Sequence, residues 1–256
     1  MRYVLALAIL LAGAASAGAE PSAADSQLYA EGKYDEAIRA GLARNDAAGF
    51  SDAARAALSQ EASLDQPCLD CLKKAEGYAR RAIFADPKLP DARVYLAVSL
   101  GLKAHIEGSI LARLKGYPGE AKETLDAALA ADPNNVWALA ALGGWNIAIV
   151  RGGGKVLARL LYGASLRIGL DHFAAAFKAA PDNIIVRYQY ALTLSEYNAE
   201  RFHSEIEAAL THVVNGTADT AYGRLLQKRA ADLLDLHKKG DADAYAARVR
   251  KYEGYP

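Results

Sequence analysis

The sequence predicts an all-α protein, an α-solenoid of antiparallel helix hairpins, and three observations carry that prediction. The composition is heavy in alanine and leucine, with one methionine and eight prolines, and no stretch sustains the apolar–polar alternation of a strand. Three segments close alike: "ARRAIFADPKLPDARVYLA", "TLDAALAADPNNVWALAAL" and "FAAAFKAAPDNIIVRYQYAL". Their prolines, Pro87, Pro133 and Pro181, stand 46 and 48 residues apart, and each ends an alanine-rich helix just before a new amphipathic run. Repetition at this length means supersecondary units that bury their apolar faces by stacking on neighbours.

The elements follow in order. The opening "MRYVLALAILLAGAASAGAE" has one arginine, an apolar run from Tyr3 to Leu11, and small residues that offer "ASA" or "AGA" for cleavage. This is the layout of a secretory signal peptide over residues 1–19, too short for a membrane span, with no cysteine nearby to carry a lipid anchor. The remaining residues, 20–256, form a single domain. Helices are expected near 22–31 and 34–47, joined by "GKYDEA", then near 51–64, 68–86 and 90–114. After "GYPGEA" come 118–131, 135–150, 155–180 with a break, 183–197 and 200–214, and the chain closes with capping helices near 219–238 and 241–252. Asp86-Pro87 and Asp132-Pro133 stop their helices because the residue before proline is pushed out of the α region.

The 34-residue tetratricopeptide pattern can be laid on these prolines. It places Leu139, Leu142, Gly143 and Asn146 on the first helix, and Ala75, Ala121 and Gly169 on the small position of the second, with Ala79, Leu125 and Phe173 four residues on. Small residues there let paired helices approach closely. Two units, about 90–133 and 136–181, are longer than the pattern by 12 and 14 residues, and both excesses contain "LARL", at Leu111–Leu114 and Leu157–Leu160. The expansion therefore belongs to the repeat. "IVRGGGK" falls in the second expansion, where "HIEGSI" stands in the first; its glycines are expected to break a long first helix, so that "VLARLLYG" turns back along the repeat.

Leu142, Gly143, Trp145, Leu161, Tyr162, Gly163, Pro181 and Asn183 give the chain a further likeness. Over roughly residues 70–235 it resembles the helical domain of the regulator of microtubule dynamics family. The resemblance implies a non-catalytic binding module; in eukaryotes the family is linked with membrane contact sites, phospholipid binding and microtubules. Here a leader stands where the family has a membrane-anchored, cytosol-facing arrangement, so binding by a helical groove is what carries over.

Lysine and arginine together equal aspartate and glutamate at 30 each, and loss of Arg2 with the leader leaves a net charge of about −1. Near-neutrality without a basic block argues against nucleic acid as a partner. After signal cleavage no transmembrane segment remains, and the expected location is periplasmic or secreted.

Motifs for chemistry fail one by one. A phosphate loop ending at Gly154-Lys155 needs glycine at Ile149 and a hydroxyl at Val156. Cys68 and Cys71 are the only cysteines, so "CLDC" reads as a disulfide staple at a helix start, with a redox couple as the alternative. Two thiolates alone make no structural zinc site, and no histidine follows Cys71 for haem. His105, His172, His203, His212 and His237 fall in no metal or nucleophile motif, and "GASLR" lacks the second glycine of a nucleophile elbow. No catalytic residue, metal or cofactor is expected.

The positive signal is a groove. In tetratricopeptide arrays the first helix of each pair builds the inner wall, here through Asp91, Val94 and Val98, then Trp137, Ala140 and Gly144, then Ile185, Tyr188 and Leu192. All but Asp91 lack charge, and apolar surface costs about 25 cal/mol per Å² to expose. Either the C-terminal helices around Tyr222–Lys239 fill the groove, or it accepts an acyl chain, another apolar ligand or a hydrophobic peptide helix. The extra segment Lys155–Leu170 either extends the wall or touches a membrane surface beside Arg159 and Arg167. The expected function is non-enzymatic: a scaffold for protein–protein interaction in the cell envelope or, alternatively, a periplasmic carrier for a lipid or other apolar ligand.

Overall fold

A computed structural model describes residues 23–256; the expected leader, residues 1–19, lies outside the described residues. These form thirteen α-helices and no strand: α1 Ala23–Glu31, α2 Tyr34–Arg44, α3 Ala47–Ala62, α4 Leu69–Ala85, α5 Pro90–Glu107, α6 Ser109–Leu114, α7 Tyr117–Ala131, α8 Val136–Tyr162, α9 Leu166–Ala179, α10 Ile184–Asn198, α11 His203–Asn215, α12 Ala221–Lys239 and α13 Ala242–Tyr252. They pack largely in chain order as hairpins, α3 with α4, α5 with α7, α8 with α9 and α10 with α11, while first helices of successive hairpins also touch, α3 with α5, α5 with α8 and α8 with α10.

The turns between hairpins are built alike. Asp86 Oδ1 accepts from the Lys88 N–H at 2.9 Å, and Asp132 Oδ1 accepts from the Asn134 N–H at 3.1 Å. Each following helix starts on a cap or a proline: Pro90 at the first turn of α5, the Asn135 side chain accepting from the Ala138 N–H, and the Asn183 side chain accepting from Val186. These bonds satisfy helix-end donors that otherwise lack partners. The positions that the repeat spacing marks as small or apolar form the core between paired helices: Ala75, Ala79 and Phe173 are fully buried, Leu125 nearly so, and Gly169 is buried. At the start of α4, Cys68 and Cys71 form a disulfide across the first turn.

Three boundaries differ from the sequence expectation. The turn expected between residues 47 and 51 falls earlier, at Asn45, which takes a positive φ, and Asp46, whose side chain caps α3 by accepting from the Gly49 N–H. The helix expected over 90–114 is interrupted at Gly108, which separates α5 from α6. The helix expected to end at 150 runs on through Gly152 and Gly153 and bends only at Gly154, so residues 155–162 form a second arm of α8 before a turn at Gly163 leads to α9. Gly108 has φ 85° and ψ 156°, and Gly154 has φ 73° and ψ 161°. The same left-handed kink thus recurs 46 residues apart, in a backbone region that glycine alone adopts without strain. Only one of the three glycines in "IVRGGGK" breaks the helix. The feature they share with "HIEGSI" is the last glycine before the LARL word.

Candidate functional site

Four of the eight apolar or small residues expected to line a groove are buried: Val94, Ala140, Tyr188 and Leu192. Val98, Trp137, Gly144 and Ile185 are partly exposed. Asp91, beside them, accepts a hydrogen bond from Asn135 Nδ2 at 3.0 Å. What covers the wall at α10 is the chain itself, because Tyr188 and Leu192 share one core with Leu226 and Leu233 of α12 and with Tyr245 and Val249 of α13. α12 also reaches the start of the chain: Arg224 donates to the Ala30 carbonyl and Arg229 to the Ala62 carbonyl. Burial pushes the Tyr188 hydroxyl well above its ordinary range, and that hydroxyl has no hydrogen-bond partner.

Past α13 the chain ends against α5, α8 and α10. His105 Nδ1 donates to the Glu253 carbonyl at 2.7 Å, and its ring stacks on Tyr255 at 4.5 Å. Arg151 binds both Glu196 and the Tyr255 hydroxyl. The side chains of His105, Glu196 and Glu253 bring one nitrogen and two carboxylate oxygens within 4.8 Å of one another, the one such convergence of three groups among the described residues. Arg151 already places a positive charge on Glu196, which opposes a cation at this point. The arrangement does the work of a latch for the C-terminus.

Burial, with Glu196 adding to it and Arg151 opposing, raises the Glu253 carboxyl from its ordinary 4.5 to about 8, while burial lowers His105 from 6.5. A carboxyl raised on folding stabilises at low pH, and that contribution is lost as pH climbs to the folded value; a histidine lowered on folding acts in the opposite sense. Just below pH 6.5 the two oppose one another, and between 6.5 and about 8 only the Glu253 loss remains. We expect the latch to weaken by roughly 2 kcal/mol across that upper window, read as faster amide exchange in residues 250–256. Glu253→Gln should flatten the change; an unchanged slope in that variant would discount the latch.

Beside the latch, a cavity of about 360 Å³ opens between α10 and α13, lined by Arg151, Glu196, His203, His237, Tyr245 and Val249 among others. His203 and His237 stack at 4.0 Å, and His237 Nε2 donates to the His203 carbonyl. Ser195, also on its wall, donates to the Ala191 carbonyl at 2.7 Å and shares a hydrogen bond with the Tyr245 hydroxyl at 2.6 Å. The hydrogen-bond partners of this hydroxyl are thus a carbonyl and a phenol.

The other prominent surface lies on the two expansions. Ile110 and Leu114 on α6 are each 79% exposed, and their counterparts 46 residues on, Val156 and Leu160 on the second arm of α8, are 79% and 76% exposed. Leu111, Leu157 and Leu161 are exposed as well, so seven of the nine exposed large apolar side chains among the described residues sit on these two short helices. One small residue in each faces inward: Ala112 and Ala158 are buried, and Ala158 packs with Val150 and Ala164. Between them in the chain, Trp145 on α8 donates its indole N–H to the Pro118 carbonyl at the start of α7 and packs its ring edge-on with Tyr162 at the end of α8. Sequence spacing marks LARL as part of the repeat. It leaves open whether those leucines wall a groove or face outward, because a six-residue helix has too few positions for periodicity to name its buried side.

No family model matches the chain, and no curated protein sequence matches it either. No helix among the described residues is long and apolar enough to cross a membrane.

Proposed function

We propose that this protein is a non-enzymatic binding module of the cell envelope, secreted by its N-terminal leader and built as a scaffold of divergent, expanded tetratricopeptide-type hairpins akin to the regulator of microtubule dynamics domain. Its docking surface is the edge formed by α6 and the second arm of α8. One observation carries this reading: the expected groove is covered at α10 by the protein's own C-terminal helices, while the large apolar side chains left in solvent gather on two duplicated arms. Clustered exposed apolar side chains of that kind mark an interaction site. The same covering argues against a carrier that holds a lipid in the groove.

The test is photocrosslinking in the native host, with a photoreactive amino acid placed at Leu160, at Leu114 or, on the expected groove wall, at Ile185. Adducts are expected from the first two positions and not from the third. Adducts confined to Ile185 would return the function to the groove.

A further inference from the structure

We infer that the partner of this edge is an anionic bilayer surface, with α6 and the second arm of α8 lying in the headgroup layer as paired interfacial anchors. The inference rests on the edge being the docking surface and names what it docks on. The apolar ridge of each arm is an i, i+4 pair, Ile110 with Leu114 and Val156 with Leu160, the spacing that puts side chains on one helical face. Cations flank both ridges at matching places: Arg113 and Arg159 lie 46 residues apart, with Lys155 before the second ridge, while Lys115 is engaged by Glu107 at 2.8 Å and Arg167 by Asp171 at 3.2 Å. No acidic residue occurs from 108 to 119 or from 152 to 170. A short helix with bulky apolar residues on one side and lysine or arginine beside them inserts shallowly, while its long cationic side chains reach back to lipid phosphates.

Charge decides against a second copy of the chain as the occupant. A second copy docked edge to edge would bring each cationic arm against cations of the same kind, because a two-fold contact pairs a patch with itself. An anionic leaflet offers negative charge and hydrocarbon together, and each lysine or arginine near it adds to the attraction. The edge is also made twice. Two anchors carried on one chain bind a surface with the second contact intramolecular, which suits a membrane plane better than a single pocket.

The experiment is flotation of the full mature chain with vesicles of equal parts phosphatidylglycerol and phosphatidylcholine, and with phosphatidylcholine alone. The protein should float with the anionic vesicles and bind neutral ones about tenfold less or weaker. The double variant Leu114→Glu, Leu160→Glu should lose at least about tenfold in binding to anionic vesicles, and Arg113→Glu with Arg159→Glu should do the same, while Phe84→Glu, at an exposed phenylalanine on α4, should bind like the parent. All of these positions are exposed, and unchanged thermal melts confirm intact folding. Failure to float, equal flotation of the double variants, or an edge-dependent dimer in sedimentation overturns the inference. Leu160 adducts to a protein partner without flotation would overturn the bilayer while leaving the edge as the docking surface, and loss of edge adducts altogether would sink both.

Discussion

Leu192→Asp should unfold this protein rather than empty a binding groove. Leu192 is 2% exposed and sits in the core that joins α10 to Leu226, Leu233, Tyr245 and Val249. A carboxylate there has no cation in the surrounding core cluster, and burying an unpaired charge costs several kcal/mol, part of it avoided by taking up a proton. Removing the leucine side chain loses apolar burial as well, about 2–5 kcal/mol in comparable sites. The sum, roughly 4 kcal/mol or more, is a large share of the 5–15 kcal/mol that holds a typical domain together. Chemical denaturation should show a midpoint collapsed toward zero denaturant, with α12 and α13 losing amide protection first. Ile185→Asp, at a partly exposed position on the same helix, should cost far less. A stable Leu192→Asp protein that had lost uptake of a fluorescent lipid would show the opposite: an open groove.

Gly169→Val should be nearly as damaging, for a different reason. At the α8–α9 crossing a Cβ on Gly169 would meet Ile147 Cγ1 at 2.6 Å and the Gly143 carbonyl oxygen at 2.9 Å. The first contact can yield by rotation, but the second is backbone and yields only if the helices part. Gly143 faces the same constraint, since a Cβ there would lie 2.6 Å from the Phe173 ring. Overpacking of this kind costs about 1–3 kcal/mol and more when backbone must move, so the valine should lose about 3 kcal/mol. Gly169→Ala is expected to destabilise too, against the gain of up to about 1 kcal/mol that alanine normally brings to a helix. Gly77 supplies the contrast. It lies inside α4, and a Cβ added there would meet nothing within 4 Å, so Gly77→Ala should stabilise. Equal signs for the two alanine variants in denaturant melts would remove the close-approach argument.

Both expectations grow from positions that residue spacing marks, though to different depths. Gly169 and Phe173 are legible because the repeat puts a small residue and, four positions on, a large one on the same helical face, and helix pairing makes those two positions bury together. The Asp-Pro turns are legible because proline restricts its predecessor locally. The kink at Gly108 is not, because one glycine inside a helical pattern costs only about 1 kcal/mol and spacing alone reads through it. "IVRGGGK" misleads in the other direction: three glycines suggest a broken stretch, yet two remain helical and only Gly154 takes a positive φ.

For the candidate site the division is sharper. Spacing marks Tyr188 and Leu192 as wall positions, but their covering comes from helices brought in by the whole path of the chain. The contacts that hold α12 there, Arg224 to Ala30 and Arg229 to Ala62, span 194 and 167 residues. Residue order settled the all-α class, the places where hairpins turn and the points where paired helices touch, since each depends on backbone preference and side-chain volume within a few neighbouring positions. Which face is covered, and which leucines are left in solvent, was settled by tertiary packing. α12 meets α1 only through the packing of all the helices between them, and no local spacing encodes that path.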